Sequence, residues 1–203
     1  MKIPWSGRAH SFEKKEIKFL TNIIKNADPL TQGKYLKLFE KKFGNFIKKS
    51  NVFAVSSAAS ALEIISLLLG IKKNDEIIIP AHTYCATAIP FARNGAKIVW
   101  SDINFKTRTV DLGDIKKKIT SKTKAIVIVH LYGYAVDFRN IINFCKKKKI
   151  KIIEDCAQAI GAEVGGKKVG SIGDFSCFSF HAQKNMTTLG EGGIIYVKEK
   201  KLA

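Results

Sequence analysis

Lys184 occupies a polar turn, His181-Ala182-Gln183-Lys184-Asn185, set between two apolar stretches. An aromatic strand, Phe175 to Phe180, runs into the turn, and a glycine-rich bend, Gly190-Glu191-Gly192-Gly193, leads out of it into a second strand, Ile194 to Val197. A lysine just past a buried strand loses part of its solvation, which lowers its pKa and makes the amine nucleophilic. Lysines of that kind form Schiff bases with pyridoxal 5'-phosphate. Taken alone, Lys184 reads as one more surface cation in a lysine-rich chain, and its neighbours in the sequence decide otherwise.

Three other places could do chemistry with it. Asp155 ends the apolar run Ile152-Ile153-Glu154-Asp155. A carboxylate there can pair with a protonated pyridine nitrogen and strengthen the ring as an electron sink, or it can simply cap the next turn. Ser56-Ser57-Ala58-Ala59-Ser60 joins a strand to a helix start, where small residues let backbone N–H groups approach a phosphate and the helix end favours its charge. A tight turn with a serine cap is the plain alternative. Tyr84, after Pro80-Ala81-His82-Thr83, could lay its ring on a flat cofactor or pack as an ordinary core tyrosine. His130 and His181 lack ligand-like spacing to another His, Cys or carboxylate, so no metal site is expected. The Gly165-Gly166 and Gly190 to Gly193 bends lack the Lys-Ser/Thr of a phosphate loop, and no Gly-x-Gly-x-x-Gly follows a strand.

The elements that must position these groups follow from periodicity. Ser11 to Asn26 has helical spacing with Ser11 as N-cap, Asp28-Pro29 stops it, and Tyr35 to Ile47 is a second amphipathic helix. Strands are expected at Val52–Val55, Glu76–Ile79, Lys97–Trp100, Ala125–Val129 and Ile150–Ile153, besides the two around Lys184. Helices between them are expected at Ser60–Leu69, over most of His82–Asn94 with Gly95 as cap, at Leu112–Ile119 and at Phe138–Lys148. β-Branched strands separated by helices imply an α/β fold, a mainly parallel sheet covered on both faces. In such sheets ligands bind beyond the carboxyl ends of the strands, where Ser57, Asp155 and Lys184 all fall.

The chain has 203 residues, 46% hydrophobic, enough for one sizeable core. Lys+Arg is 35 against Asp+Glu 17, a formal net charge of +18. The lysines are spread over nearly every surface helix, and the densest run, Lys146 to Lys149, closes a helix where cations suit the macrodipole. With no aromatic-interleaved basic stripe, no nucleic-acid partner is expected; a nucleic-acid-binding module rests on charge alone. Cys85, Cys145, Cys156 and Cys177 form no Cys-x-x-Cys pair and sit in mainly apolar settings, which suits reduced thiols in the cytoplasm. The apolar runs are strand-length, so no membrane span is expected.

Together these motifs resemble the DegT/StrS nucleotide-sugar aminotransferases, pyridoxal-phosphate enzymes of fold type I. The resemblance runs through Ile3-Pro4, Leu30-Thr31-Gln32-Gly33 ahead of Phe39-Glu40, Val55-Ser56-Ser57, Asp75-Glu76-Ile77-Ile78-Ile79-Pro80 and Val129-His130-Leu131-Tyr132-Gly133. It continues through Glu154-Asp155-Cys156-Ala157-Gln158-Ala159, Lys168-Val169-Gly170-Ser171-Ile172-Gly173-Asp174, Phe178-Ser179-Phe180-His181, Lys184-Asn185 and Gly190-Glu191-Gly192-Gly193. The last four, in this order, are its most specific part.

The resemblance implies that Lys184 carries pyridoxal 5'-phosphate covalently and that Asp155 pairs with the pyridinium nitrogen. It places Gln158 beside the ring and its phenolic oxygen, and Tyr84 on the ring face. Ser179 and the backbone of Ser57, Ala58 and Ala59 would bind the phosphate. The implied reaction moves an amino group from a donor, glutamate, to a nucleotide-linked keto sugar for amino-sugar or surface-polysaccharide synthesis, in a homodimer. Ala58-Ala59 stands where the family commonly has Gly-Thr, so a phosphate-binding hydroxyl is missing, and Ser60 is a possible substitute. Family members continue past this point through the rest of the large domain and a small C-terminal domain. Residues 1–50 are therefore expected to form an N-terminal helical segment and 51–203 an incomplete large domain. Such a chain, expressed alone, is expected to leave apolar sheet faces open, to be inactive and to associate. Alternatives are a dehydratase of the same family, in which histidine replaces the lysine, and a non-catalytic binding module.

Overall fold

The computed structural model describes residues 11–29 and 31–203; the Ile3-Pro4 opening and Leu30 lie outside the described residues. Helices α1 (Lys14–Asn26) and α2 (Lys34–Ile47) precede β1 (Val52–Val55) and α3 (Ala58–Leu68). Strand β2 (Glu76–Pro80), α4 (Ile89–Arg93), β3 (Lys97–Ser101), α5 (Leu112–Lys118), β4 (Thr123–Val129), α6 (Arg139–Lys147) and β5 (Lys151–Asp155) then alternate. A small hairpin of β6 (Glu163–Val164) and β7 (Lys167–Lys168) leads to β8 (Phe175–Ser179) and β9 (Gly193–Val197).

Among the described residues, seven strands make one sheet in the order β1-β9-β8-β5-β4-β2-β3. The ladders β2/β3, β2/β4, β4/β5 and β5/β8 are parallel, as the alternation of strands and helices predicts. β9 runs antiparallel to both β8 and β1. It is the return arm after the Lys184 turn, and an apolar run such as Ile194–Val197 does not encode its own direction.

The period-2 alternation of side chains splits the core between two faces. Ile77, Ile79, Val127, Ile153, Cys177 and Ile195 pack under α3 and α4 through Leu62, Ile65 and Phe91. On the other face Phe178, Ile194 and Tyr196 meet Phe43 and Ile47 of α2. Ile78, Ile126, Ile128 and Ile152 there meet Ile115 of α5 with Ile141 and Cys145 of α6. Every residue of β8 and β9 is buried, so the expected open sheet faces beside β9 do not occur: α3 covers one side and α2 the other.

Several boundaries differ from the sequence expectation for local reasons. α1 begins after Glu13, not Ser11, because Glu13 and Glu16 form a reciprocal capping box in which the Glu13 N–H donates 2.7 Å to Glu16 Oε2. The helix expected over His82–Asn94 breaks into a 3-10 turn, Cys85–Thr87, and α4. Pro90 lacks an N–H and is tolerated only in the first turn of a helix, so α4 starts there. α3 starts two residues earlier than expected, with Ser57 as its cap. Gly165-Gly166, read as a plain bend, has both φ values positive, +56° and +71°, and turns the β6–β7 hairpin. No helix among the described residues is long and apolar enough to cross a membrane.

Candidate active site

Strand register brings the chemistry to one edge of the sheet. Val129 pairs with Asp155, Asp155 with Cys177, Ser179 with Gly193, and Gly193 with Val55. The carboxyl ends of β4, β5, β8 and β1 therefore lie side by side with the start of β9. A cavity of about 340 Å³ opens over this edge. Its lining includes all eight residues singled out from the sequence: Ser57, Ala58, Ala59, Tyr84, Asp155, Gln158, Ser179 and Lys184.

The Lys184 turn is pinned at both ends. The Phe180 N–H donates to the Gly192 carbonyl, the Ala182 N–H to Gly190, and the Lys184 N–H to His181, at 2.8, 2.8 and 2.9 Å. His181 Nδ1 accepts from the Gln183 N–H at 3.0 Å, and its Nε2 lies 3.3 Å from Glu191 Oε1. Asn185 Nδ2 donates to the Ile160 carbonyl at 3.2 Å. The histidine and asparagine that flank Lys184 thus shape the turn, and Lys184 itself is half-buried at the cavity wall.

Asp155 is buried, and its carboxylate accepts from three donors. Thr87 Oγ1 donates to Oδ2 at 2.8 Å, the Ala157 N–H to Oδ1 at 3.1 Å, and Cys177 Sγ to Oδ1 at 3.6 Å. Burial, and next the Asp155 charge, push the Cys177 thiol well above its ordinary range, so it stays a thiol. Gln158 Oε1 accepts at 3.3 Å from the N–H of Tyr132. Tyr132 has φ +52°, a left-handed conformation uncommon for a large side chain. Tyr84 is 69% exposed at the cavity rim, free of the core that the plain reading assigned it.

At the start of α3, Ser57 Oγ accepts from the Ser60 N–H at 3.0 Å. The Ala61 N–H donates to the Ser57 carbonyl. The amides of Ala58 and Ala59, the first two of the helix, have no acceptor among the described residues. Both alanines line the cavity. Ser60 does not: its hydroxyl is 2.7 Å from Ser56 Oγ and 3.0 Å from Ser57 Oγ. Its hydroxyl is therefore tied back to the loop.

His130, Glu154 and Cys156 bring a ring nitrogen, a carboxylate and a thiol within 4.8 Å of one another, all buried. The donor set argues against a metal. Glu154 Oε1 accepts from the N–H groups of Ile172 and Gly173 at 2.7 and 2.6 Å, and Oε2 from Gly170 at 2.8 Å and His130 Nε2 at 3.1 Å. Both Glu154 oxygens are thus already taken, and burial holds the Cys156 thiol well above its usual range. The cluster is a clamp that joins β4, β5 and the Gly170–Gly173 loop beneath the site.

These residues fit pyridoxal 5'-phosphate. One amine, one buried carboxylate and two unmatched helix-terminal amides line a single cavity, and the methyl side chains of Ala58 and Ala59 leave their backbone open to an anion. Sequence reasoning missed Thr83, Thr87, His181 and Glu191, which also line the cavity. Single hydroxyls carry no pattern at sequence level, and the His181–Glu191 contact closes across the Lys184 turn.

The DegT/DnrJ/EryC1/StrS aminotransferase family model matches residues 11–203. A GDP-perosamine synthase of Vibrio cholerae is 40% identical over 185 residues, covering 91% of this chain and 50% of that protein. A dTDP-3-amino-3,6-dideoxy-alpha-D-galactopyranose transaminase of Aneurinibacillus thermoaerophilus is 39% identical over 189 residues, 93% of this chain and 52% of that one. Among solved structures, an aminotransferase from Psychrobacter cryohalolentis superposes with a TM-score of 0.89 at 32% identity, over 98% of this chain and 50% of that one. A GDP-4-keto-6-deoxy-D-mannose-3-dehydratase of E. coli, solved with bound hydrated PLP, superposes with a TM-score of 0.90 at 26% identity, over 100% of this chain and 53% of that one. The chain spans about half the length of the curated relatives it matches. It belongs to the DegT/DnrJ/EryC1/StrS aminotransferase family.

Proposed function

We propose that this chain supplies the cofactor-binding half of a pyridoxal-phosphate aminotransferase that transfers an amino group to a nucleotide-linked keto sugar. The observation that carries the reading is the convergence of Lys184, Asp155 and the free amides of Ala58 and Ala59 on one cavity. Lys184 would hold the cofactor covalently, and Asp155 would face its ring nitrogen. Ser179 and the Ser57–Ala59 backbone would take its phosphate, with Gln158 and Tyr84 at the ring. When bound, the cofactor supplies an electron sink for negative charge developing at the amino donor's Cα. The chain's own part is to bind, orient and move protons. The Lys184 amine, when not bonded to the cofactor, would take the proton from the donor Cα, and the helix start would neutralise phosphate charge.

Glutamate is the amino donor in this reading, the working unit is a homodimer, and the reaction serves amino-sugar or surface-polysaccharide synthesis. The names of the relatives support the nucleotide-sugar acceptor. The setting is the cytoplasm, supported by four free cysteines, three of them buried. The dehydratase alternative is disfavoured by the lysine at position 184.

Borohydride reduction of the cofactor-loaded, full-length protein, followed by peptide mapping, should place the pyridoxyl label on Lys184. A label on another lysine would sink the assignment.

A further inference from the structure

Thr87 is 1% exposed and lies far along the chain from Asp155, yet its hydroxyl is 2.8 Å from Asp155 Oδ2. A carboxylate only accepts hydrogen bonds, so the single hydroxyl proton of Thr87 is committed to Asp155. Thr83 Oγ1 lies 2.8 Å from Thr87 Oγ1. With the Thr87 proton spent, Thr83 must be the donor in that contact. The order is therefore fixed: Thr83 donates to Thr87, and Thr87 donates to Asp155.

Both threonines flank Tyr84 in the segment that enters and forms the 3-10 turn Cys85–Thr87. The chain of hydroxyls thus ties the turn that carries Tyr84 to the carboxylate at the end of β5. Asp155 Oδ1 is already held by the Ala157 N–H and Cys177 Sγ. Only the Thr87 hydroxyl restrains Oδ2 among the described residues.

We propose that Thr87, backed by Thr83, is a positioning residue that fixes the plane of the Asp155 carboxylate and locks it to the Tyr84 turn. The inference rests on the reading of Asp155 as the partner of the cofactor's ring nitrogen. Without the Thr87 bond Oδ2 is unrestrained, and the two Oδ1 contacts, one of them a long thiol contact of 3.6 Å, leave the carboxylate plane room to tilt away from that nitrogen. Small misalignments of this kind cost rate without abolishing binding.

The test uses the full-length protein loaded with pyridoxal phosphate, in the variants Thr87→Val, Thr87→Ser, Thr83→Val and Asp155→Asn. Valine keeps the branched shape of threonine and removes the hydroxyl. Thr87→Val is expected to lower kcat roughly tenfold to a hundredfold with a smaller change in KM. It should also move the pH midpoint of the bound cofactor's visible absorption in the same direction as Asp155→Asn, by less. Thr87→Ser should restore both. Thr83→Val, which keeps the Thr87–Asp155 bond, should give a smaller shift of the same sign and serves where Thr87→Val does not fold.

A wild-type absorption titration and kcat in Thr87→Val, beside a clear effect of Asp155→Asn, overturn the inference and leave the functional reading intact. Equal losses in Thr87→Val and Thr87→Ser also overturn it, because the hydroxyl then plays no part. If Thr87→Val does not fold, a wild-type titration in Thr83→Val does the same. An unchanged titration in Asp155→Asn removes the functional reading itself.

Discussion

Gly193 is pressed against Ser57: a Cβ at position 193 would fall 2.4 Å from the Ser57 carbonyl carbon, 2.6 Å from its oxygen and 2.7 Å from the Ala58 nitrogen. Gly193 opens β9 and pairs with both Val55 and Ser179. The first residue of β9 thus sits under the loop that starts α3. Only a residue without a side chain lets that loop lie on the sheet, where the amides of Ala58 and Ala59 line the cavity.

Gly193→Ala should therefore act on both stability and ligand binding. The methyl group meets backbone, which cannot swing away as a flexible side chain would, so the α3 start must lift. Overpacking of this kind costs about 1–3 kcal/mol. The displaced amides should also weaken cofactor binding. Urea unfolding together with a pyridoxal-phosphate titration checks both. Wild-type values in the two measurements would show that the loop yields freely.

The contrast between Gly193 and Lys184 shows what a sequence can and cannot disclose. Lys184 and Asp155 stand where apolar runs end, so the end of a buried strand predicts their place at the sheet edge. The strand and helix alternation likewise predicts the parallel ladders from β3 to β8. The roles of Gly193 and Thr87 come from partners distant in the chain; the Thr87–Asp155 bond spans 68 positions. No local period encodes such contacts. The reversed direction of β9 was hidden for the same reason. Pro90, by contrast, was legible as a helix breaker, and the expectation of one helix over His82–Asn94 overlooked it.

The four cysteines should divide sharply in reactivity. Burial raises the Cys145 thiol to about 11 and pushes Cys156 and Cys177 well above the ordinary range, whereas Cys85 is exposed. The thiolate is the reactive species, so the buried three are protected both by access and by protonation. Iodoacetamide at mildly alkaline pH should add one adduct to the folded protein, at Cys85, and four after denaturation. Peptide mass mapping reads the result, and native modification of Cys156 or Cys177 would contradict the packing around Asp155.

Glu154→Gln, conservative in shape, should be costly, because the tautomer of His130 is locked. His130 Nδ1 accepts from the Val136 N–H at 3.0 Å, so its proton sits on Nε2 and points at Glu154. Glu154 meets that proton and three backbone N–H groups, all donors, with two acceptor oxygens. An amide offers one oxygen and one NH2. Placed either way, the NH2 faces two donors: Gly170 and His130 on one side, or Ile172 and Gly173 on the other. The imidazole cannot relieve the clash by moving its proton to Nδ1, since the Val136 N–H occupies that position. The site is fully buried, so water cannot enter to compensate. The loss should be about 3 kcal/mol in urea unfolding, from the two buried donors left facing an NH2 group. The Gly170–Gly173 loop should also exchange its amide protons faster. A Glu154→Gln protein within a few tenths of a kcal/mol of wild type would mean that this loop repacks around the amide.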